Sequence, residues 1–461
     1  MGQFNLSDIV ILVPGILGSV LKKNGRDVWN PASMGFAANR MAGLPLEDLK
    51  LSNELEPSSL VECPFLIRNF IRSFGYEKII SRIQSFFKIE KNDNCSNFHV
   101  FPYDWRKDNR ESAKKLKEFT EKQLAAWRDA TGNQEAKVIF LAHSMGGLIC
   151  RYYLEVLGGL HDSSLMISFG TPYRGSLNAA QYLLEGRSFI RTDVSDLLAS
   201  FPSVYQLLPR YKSIKFENDW IYPHELSQLL KIREDLVKDG FAFHQEIEQA
   251  VEKNRIQYDN TYALHPVVGI EQITLQSLRI ENENLLFTDV VPEYSDDIPQ
   301  YGDDTVPHVS AIPIEQSNNP LGHFVADHHA YLHANDEALS NSLEIIRITQ
   351  SRGSLTKIRN DLALKPNVSL STRISTEHPK QLSVEISLHG ECVDVGRGFV
   401  SILRADDNTE VVRNLTDAPL DQNIQTVIFD ELAAGVYIVE VNSEQHVQSV
   451  PSTVRDLAEV T

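Results

Sequence analysis

The chain has few cysteines, and they are scattered. Cys63, Cys95, Cys150 and Cys392 are the only four in 461 residues. They form no C-x-x-C pair and match no Cys/His metal spacing, so the sequence predicts neither a disulfide framework nor a structural metal site. A reduced, cytoplasmic setting is the expectation. Long apolar runs are also missing, and the longest fall well short of the roughly 20 residues that a membrane-spanning helix requires. No cationic start leads into an apolar core of the secretory-signal kind. The opening Met1-Gly2 lacks the Ser or Thr that myristoylation wants at position 6, where Leu6 stands. Positive charge is in short supply, with 44 Lys and Arg against 62 Asp and Glu for a net charge of −18. That balance argues against a nucleic-acid partner and against long-range attraction to anionic lipid.

What is present is enough apolar material, 42% of the residues, to build folded cores. The length calls for about two domains. Asp8 to Val13 (DIVILV) is a nearly continuous Ile/Val run that ends at Pro14-Gly15, the pattern of a strand buried on both faces. Asn97 to Phe101, Lys137 to Leu141 and Leu165 to Phe169 read the same way, with a further strand region at Val267 to Ile270. Between them, Asp108 and Glu111 open a helix whose face carries Ala113, Leu116, Thr120, Leu124 and Trp127, and Gly132 closes it. Leu148 to Leu157 is another helix. This alternation predicts an α/β domain with a mostly parallel sheet over residues 1–360. Two long insertions, near 19–75 and 175–260, are expected to form caps over one end of it. Beyond about residue 365, Leu382, Val384, Ile386 and Leu388 alternate strictly, as do Tyr437, Val439 and Val441 after Gly435. Residues 366–461 therefore read as a separate all-β sandwich of the immunoglobulin-like kind, each sheet with one wet face.

The stretch VIFLAHSMGGLI, residues 138–149, runs from strand to helix through Ala142-His143-Ser144-Met145-Gly146. Serine and glycine are ordinary turn residues at such a junction. The alternative is a nucleophile elbow, with alanine for the first glycine of G-x-S-x-G, holding the serine hydroxyl above the sheet. An elbow serine needs a histidine to take its proton and a carboxylate to orient that histidine, following in the order Ser, Asp, His. Gly302-Asp303-Asp304-Thr305 supplies two carboxylates, and His323, His328, His329 and His333 follow. His333 falls where a last helix, continuing through Leu339 and Leu343, is expected to have begun.

Six segments in order, VILVPGILGSVL, FPYDWRKD, AHSMGG, SFGTPYRGS, FPSVYQLLP and GDDTVP, together resemble the lecithin:cholesterol acyltransferase-like family of α/β-hydrolases, in particular its bacterial members. They span roughly residues 10–307, and the sandwich lies outside the resemblance. The resemblance implies an α/β-hydrolase fold with Ser144 as the acyl-accepting nucleophile. It selects Asp303, which follows the glycine of the G-D-x-T-V pattern, and His329, which matches x-H-G-x-L with Ala330 for glycine. It further implies that the backbone amides of Ile16, in the Pro14 to Gly18 turn, and of Met145 receive the oxyanion, a role that leaves their side chains free to be apolar. Leu17, Trp105 and Phe201 are the candidate acyl-pocket residues. Asp104 and Arg106, two apart after a strand, are better placed to tie down loops than to do chemistry. Secreted members carry lid disulfides, for which no suitable cysteine pair is visible here, so a plasma lipoprotein is not the expected substrate.

The sequence thus predicts a serine-dependent hydrolase or acyltransferase acting on fatty acyl esters, with glycerophospholipids as the expected class. Metal and nucleotide are unnecessary to that chemistry, so no cofactor is expected. The expected partners are the lipid or acyl-ester substrate, a membrane surface met through the cap, and a protein bound by the β module. Two other readings remain: a carboxylesterase or thioesterase on soluble esters, and a regulated effector whose hydrolase core answers to a partner. Because every candidate catalytic group precedes residue 361, the sandwich is expected to be dispensable for turnover of a short soluble ester.

Overall fold

The computed structural model of the chain describes residues 3–31, 47–62, 65–67, 71–73, 75–91, 95–185, 188–189, 192–193, 195–225, 232–258, 262–281, 284–292, 301–317, 322–352, 367–374, 380–389, 397–405, 409–419, 425–443 and 454–460. Six strands build the main sheet: β1 (Ile9–Val13), β2 (Phe98–Val100), β3 (Val138–His143), β4 (Ser163–Phe169), β5 (Ala263–Gly269) and β6 (His323–Val325). Their order is β6-β5-β4-β3-β1-β2, and every pairing is parallel.

The Ile/Val runs fold this way because both faces of the sheet are covered. Ile9, Ile11 and Val13 of β1 enter one core cluster while Val10 and Leu12 enter the other, and Phe140 and Ile139 of β3 divide likewise. Fully burying each such side chain contributes about 1.5–3 kcal/mol. Helices α1 (Glu77–Phe86) and α6 (Asp336–Arg352) cover the second cluster through Ile79, Ile83, Leu339 and Leu343. Helices α2 (Asn109–Thr131) and α3 (Met145–Arg151) cover the first. The α2 helix starts and stops where the sequence indicates: the Asp108 carboxylate accepts from the Arg110 amide, and Gly132 is left-handed at φ 71°. Its buried face includes Ala113, Leu116, Thr120, Leu124 and Trp127.

The insertions are mixed structures. Ser19–Lys23 and Arg26–Trp29 pair with each other, and the first also pairs with Glu56–Leu60, in an antiparallel sheet. The second insertion carries α4 (Leu177–Leu184), the short helix Pro202–Tyr205 and α5 (Glu234–Gln257). A small sheet that the sequence did not announce joins Ile214–Phe216 and Asp219–Ile221 to the hairpin Ser277–Glu281/Asn284–Thr288. No helix among the described residues is long and apolar enough to cross a membrane. Cys150 is a buried free thiol and Cys95 is buried, while Cys63 and Cys392 lie outside the described residues.

The C-terminal residues form two antiparallel sheets. Strands β7 (Asn367–Ile374), β8 (Leu382–His389) and β11 (Gln425–Phe429) make the first. Strands β9 (Arg397–Arg404), β10 (Glu410–Pro419), β12 (Gly435–Ser443) and β13 (Val454–Val460) make the second, in the order β10-β9-β12-β13. Their inner faces share one core containing Val384, Val400, Val439 and Val454. The expected division between residues 360 and 366 lies outside the described residues.

Arg106 joins the first insertion to the sheet edge. It is fully buried and meets Asp104 with two bonds, Nε to Oδ1 at 2.8 Å and Nη2 to Oδ2 at 2.6 Å. Its remaining donors reach the carbonyls of Leu49, Lys50 and Asn53 at 3.1, 2.8 and 3.0 Å. A lysine has one compact ammonium in place of this planar fork and would leave several of these acceptors dry. Arg106→Lys should therefore lower stability by about 3–5 kcal/mol, the usual result of breaking a buried pair. Denaturant titration checks this, and a loss below about 1 kcal/mol would mean the guanidinium is not what anchors the insertion.

Candidate active site

Strand β3 delivers Ser144 at φ 52° and ψ −127°, a left-handed backbone that a serine adopts only when its surroundings impose it. The imposing contacts are close. A Cβ on Gly146 would lie 2.3 Å from the Pro14 carbonyl oxygen and 2.8 Å from that of Val13, so only glycine lets α3 begin against the end of β1. The Ser144 amide donates to the Phe169 carbonyl at 2.9 Å, tying the elbow to β4.

The carboxylate comes from the turn after β5 and the small hairpin. Asp303 is fully buried, and its Oδ1 accepts from the Val306 and Thr305 amides at 2.6 and 3.1 Å. Its Oδ2 stands 2.8 Å from His329 Nδ1. Since a carboxylate only accepts, Nδ1 carries the proton, and the free lone pair of Nε2 faces Ser144 Oγ at 2.8 Å. The neighbouring pair is separate: Asp304 Oδ2 lies 2.7 Å from His328 Nδ1. The structure thus brings Ser144, His329 and Asp303 together and sets Asp304 with His328 beside them. His323 sits in β6 with Asn341. His333 precedes α6, in the turn Leu332–Ala334, rather than lying inside the helix as the sequence suggested, because the helix opens only at Asp336.

Two groups missed in the sequence fasten this cluster, Tyr76 and His143. The Gly15 amide donates to Tyr76 Oη at 2.7 Å, and the tyrosine hydroxyl must then donate to His143 Nδ1 at 2.9 Å. The opposite nitrogen, Nε2–H, donates to the His329 carbonyl at 3.2 Å. Burial, with repulsion from His333 and His329, holds His143 well below the ordinary imidazole value, so it stays neutral and keeps this tautomer. His333 packs on it with ring centres 4.3 Å apart and is likewise pushed down by burial, to about 4, while donating to the Gly75 carbonyl. His329 differs. Burial works to lower it, but the charge of Asp303, its hydrogen bond and the charge of Asp304 outweigh that and raise it above 6.5. The only sequence hint of this network was His143 inside the elbow itself.

The Pro14 to Gly18 turn lies directly over the serine, and it is fixed by neutral donors. Tyr103 Oη donates to the Pro14 carbonyl at 3.0 Å, and Trp29 Nε1 to that of Leu17 at 2.9 Å. The Gly15 carbonyl accepts from Gly18 at 3.1 Å, so the Ile16 N–H, trans to it in the same planar peptide, points the other way. Met145 opens α3, where an N–H has no intrahelical partner. No hydrogen bond among the described residues engages either amide.

These groups border a cavity of about 260 Å³. Ser144 and His329 lie on it together with Ile16, Leu17, Trp105 and Val204, and Asp304 and Asn178 add polar points. Phe201 is not a wall residue; it stands one layer back, edge-on to Trp105 at 6.0 Å.

No curated protein matches the chain in sequence. Among solved structures, it is similar to the Bacillus licheniformis lipase BlEst2 in its propeptide form, at 11% identity and TM-score 0.33, over 99% of this chain and 94% of that one. The mature form of the same lipase gives 14% identity and TM-score 0.30, over 74% of this chain and 91% of the lipase. The sequence profile described as lecithin:cholesterol acyltransferase matches residues 72–311, which include Ser144 and Asp303 but neither the Pro14 to Gly18 turn nor His329. That match takes in 240 of 461 residues, and with the six-stranded parallel sheet and its two helical layers it means that the chain belongs to the lecithin:cholesterol acyltransferase family of α/β-hydrolases.

Proposed function

We propose that the protein is a serine-dependent lipid acyl hydrolase or acyltransferase that takes fatty acyl groups from glycerophospholipids through a Ser144 acyl-enzyme. The observation that carries this reading is the unbroken chain of contacts from Asp303 Oδ2 through His329 to Ser144 Oγ, 2.8 Å at each step, beside a cavity with apolar walls. Ser144 Oγ attacks the ester carbonyl carbon while its proton passes to His329 Nε2. Asp303 stabilises the imidazolium that forms. The carbonyl oxygen becomes an oxyanion received by the amides of Ile16 and Met145, each donor of this kind contributing about 3 kcal/mol. Collapse expels the alcohol, which takes the proton from His329, and leaves the acyl group on Ser144. Water or a second alcohol, deprotonated by the same imidazole, then releases it. Leu17, Trp105 and Val204 suit an acyl chain.

Ser144→Ala should abolish ester turnover, with a loss on the order of 10⁶-fold in kcat by analogy with serine proteases. A fluorophosphonate should label the native protein and not the variant, and activity near the native level in Ser144→Ala removes the nucleophile assignment. Single alanine replacements at His328, His329 and His333 should silence only His329. On phosphatidylcholine vesicles, free fatty acid or a transacylated alcohol should appear. If only a short soluble ester is turned over, the carboxylesterase reading replaces the phospholipid one.

The pH dependence follows from the same contacts. His329 accepts a proton only when neutral, so activity is lost as pH falls through its raised value, and the midpoint of the acid limb of kcat/KM should lie above 6.5. Asp304→Asn removes one of the charges that raise it and should move that midpoint down. An unmoved midpoint would show that Asp304 is screened from the imidazole.

A further inference from the structure

We propose that the outer face of the C-terminal four-stranded sheet sets the position of the catalytic imidazole, with Ile438 and Leu457 as its positioning residues. The inference rests on His329 being the base. The sandwich should have one wet face, yet Leu457 is 1% and Ile438 5% exposed. Val439 of β12 and Val454 of β13 point into the sandwich core. Ile438 and Leu457 point the opposite way and share a separate buried cluster with Ala330, Tyr331, Ala334 and Ala405. Three of those six residues belong to the five that follow His329. The sheet therefore covers the segment that carries the base, which runs against the sequence-based expectation that the sandwich is dispensable for turnover.

Apart from that cover the segment is held at single points: the His329 amide donates to the Asp303 carbonyl at 2.7 Å, the His329 carbonyl accepts from His143, His333 donates to the Gly75 carbonyl, and Leu332 packs into the core under the main sheet. Between β6 and α6 its only regular element is the turn Leu332–Ala334. A further polar fastener is the buried Asp327 carboxylate, which accepts from the His328 amide at 2.9 Å and from Asn335 Nδ2 at 2.9 Å, closing the segment end to end. The same carboxylate receives the Arg455 amide of β13 at 3.4 Å, and the Arg455 guanidinium lies over the Tyr331 ring at 4.7 Å. Lys78 Nζ reaches Tyr331 Oη at 2.7 Å from α1. Ordering these residues costs backbone entropy, and the apolar packing of Ala330 and Tyr331 against the sheet helps to offset it. With the packing loosened, the segment samples more conformers, and Nε2 spends less time at bonding distance from Ser144 Oγ. Ala330 also borders the cavity, but the acyl-binding walls at Leu17, Trp105 and Val204 come from other segments and stay in place.

The test uses the full chain. Ile438→Ala/Leu457→Ala should lower kcat about 10- to 100-fold, as an ångström-scale misplacement of a reacting group does. KM should stay within about two-fold, the mark of an interaction that acts on the chemical step rather than on substrate binding. Leu457→Met, which refills the space, should restore kcat. Val439→Ala, equally apolar but turned into the sandwich core, should lower the unfolding midpoint and leave kcat per fluorophosphonate-titratable site unchanged. Should the double variant not fold, Leu457→Ala alone is read the same way. A folded interface variant with native kcat, or a Val439→Ala that loses kcat to the same extent, overturns the inference. If His329→Ala is inactive in the same assay, that failure belongs to the positioning role alone; an active His329→Ala overturns the base assignment and this inference with it.

Discussion

A serine hydroxyl becomes a nucleophile only when an imidazole nitrogen with a free lone pair stands at bonding distance from it, and here the two groups lie 185 residues apart in the chain. The elbow is fixed by the sheet: β3 ends at His143, just before Ser144, and the missing Cβ of Gly146 lets α3 start against β1. The imidazole has no strand of its own. It depends on Asp303 below it, on the carbonyl bond from His143 beside it, and on whatever covers the residues after it. Much of the polar order around the site answers that one requirement.

How legible this was depended on whether the signal was local. The Ile9–Val13 run, the Asp108 cap, the Gly132 stop and the Ser144 elbow each rest on a few adjacent residues whose chemistry leaves one low-energy arrangement, and each could be read directly. The pairing of Asp303 with His329 and of Asp304 with His328 could not be read from the residues alone; the family resemblance selected Asp303 and His329 and was silent on Asp304 with His328. Both aspartates follow Gly302 and both histidines precede Ala330, so the choice is made by a backbone twist, Asp304 at φ 76°, that periodicity does not encode. Tyr76 was invisible for a different reason. An aromatic at the start of an amphipathic helix is ordinarily core, and its hydroxyl matters only because Gly15 and His143, distant in sequence, converge on it.

The outer face of the second sandwich sheet is buried where a wet face was expected, and the sequence carries the signal for it. Gly435-Val436-Tyr437-Ile438-Val439 carries apolar residues on both parities, which is the pattern of a strand buried on both faces. Tyr437, Val439 and Val441 taken by themselves predict an alternating strand with a wet side. The structure places Ile438 and half-buried Val436 against the histidine segment. A burial pattern within a strand tells that something covers it, and only the tertiary fold tells what.

Neutral groups do most of the fastening near the serine, and the electrostatics of the reaction give a reason. The turn over Ser144 is held by Tyr76, Tyr103 and Trp29, and the His329 carbonyl by neutral His143, while the charged groups Asp327, Lys78 and Arg455 hold the residues on either side of His329. The fully buried charged pair of the first insertion, Asp104 with Arg106, serves loop carbonyls instead. A fixed cation against the turn would favour the oxyanion but would also depress the basicity of His329, because both lie on the same small cavity. In the proposed reaction two backbone amides receive the oxyanion by dipole alone, while the charges of Asp303 and Asp304 raise the basicity of the imidazole. Neutral clamps allow both requirements to be met a few ångströms apart, which a charged clamp of either sign would set against each other.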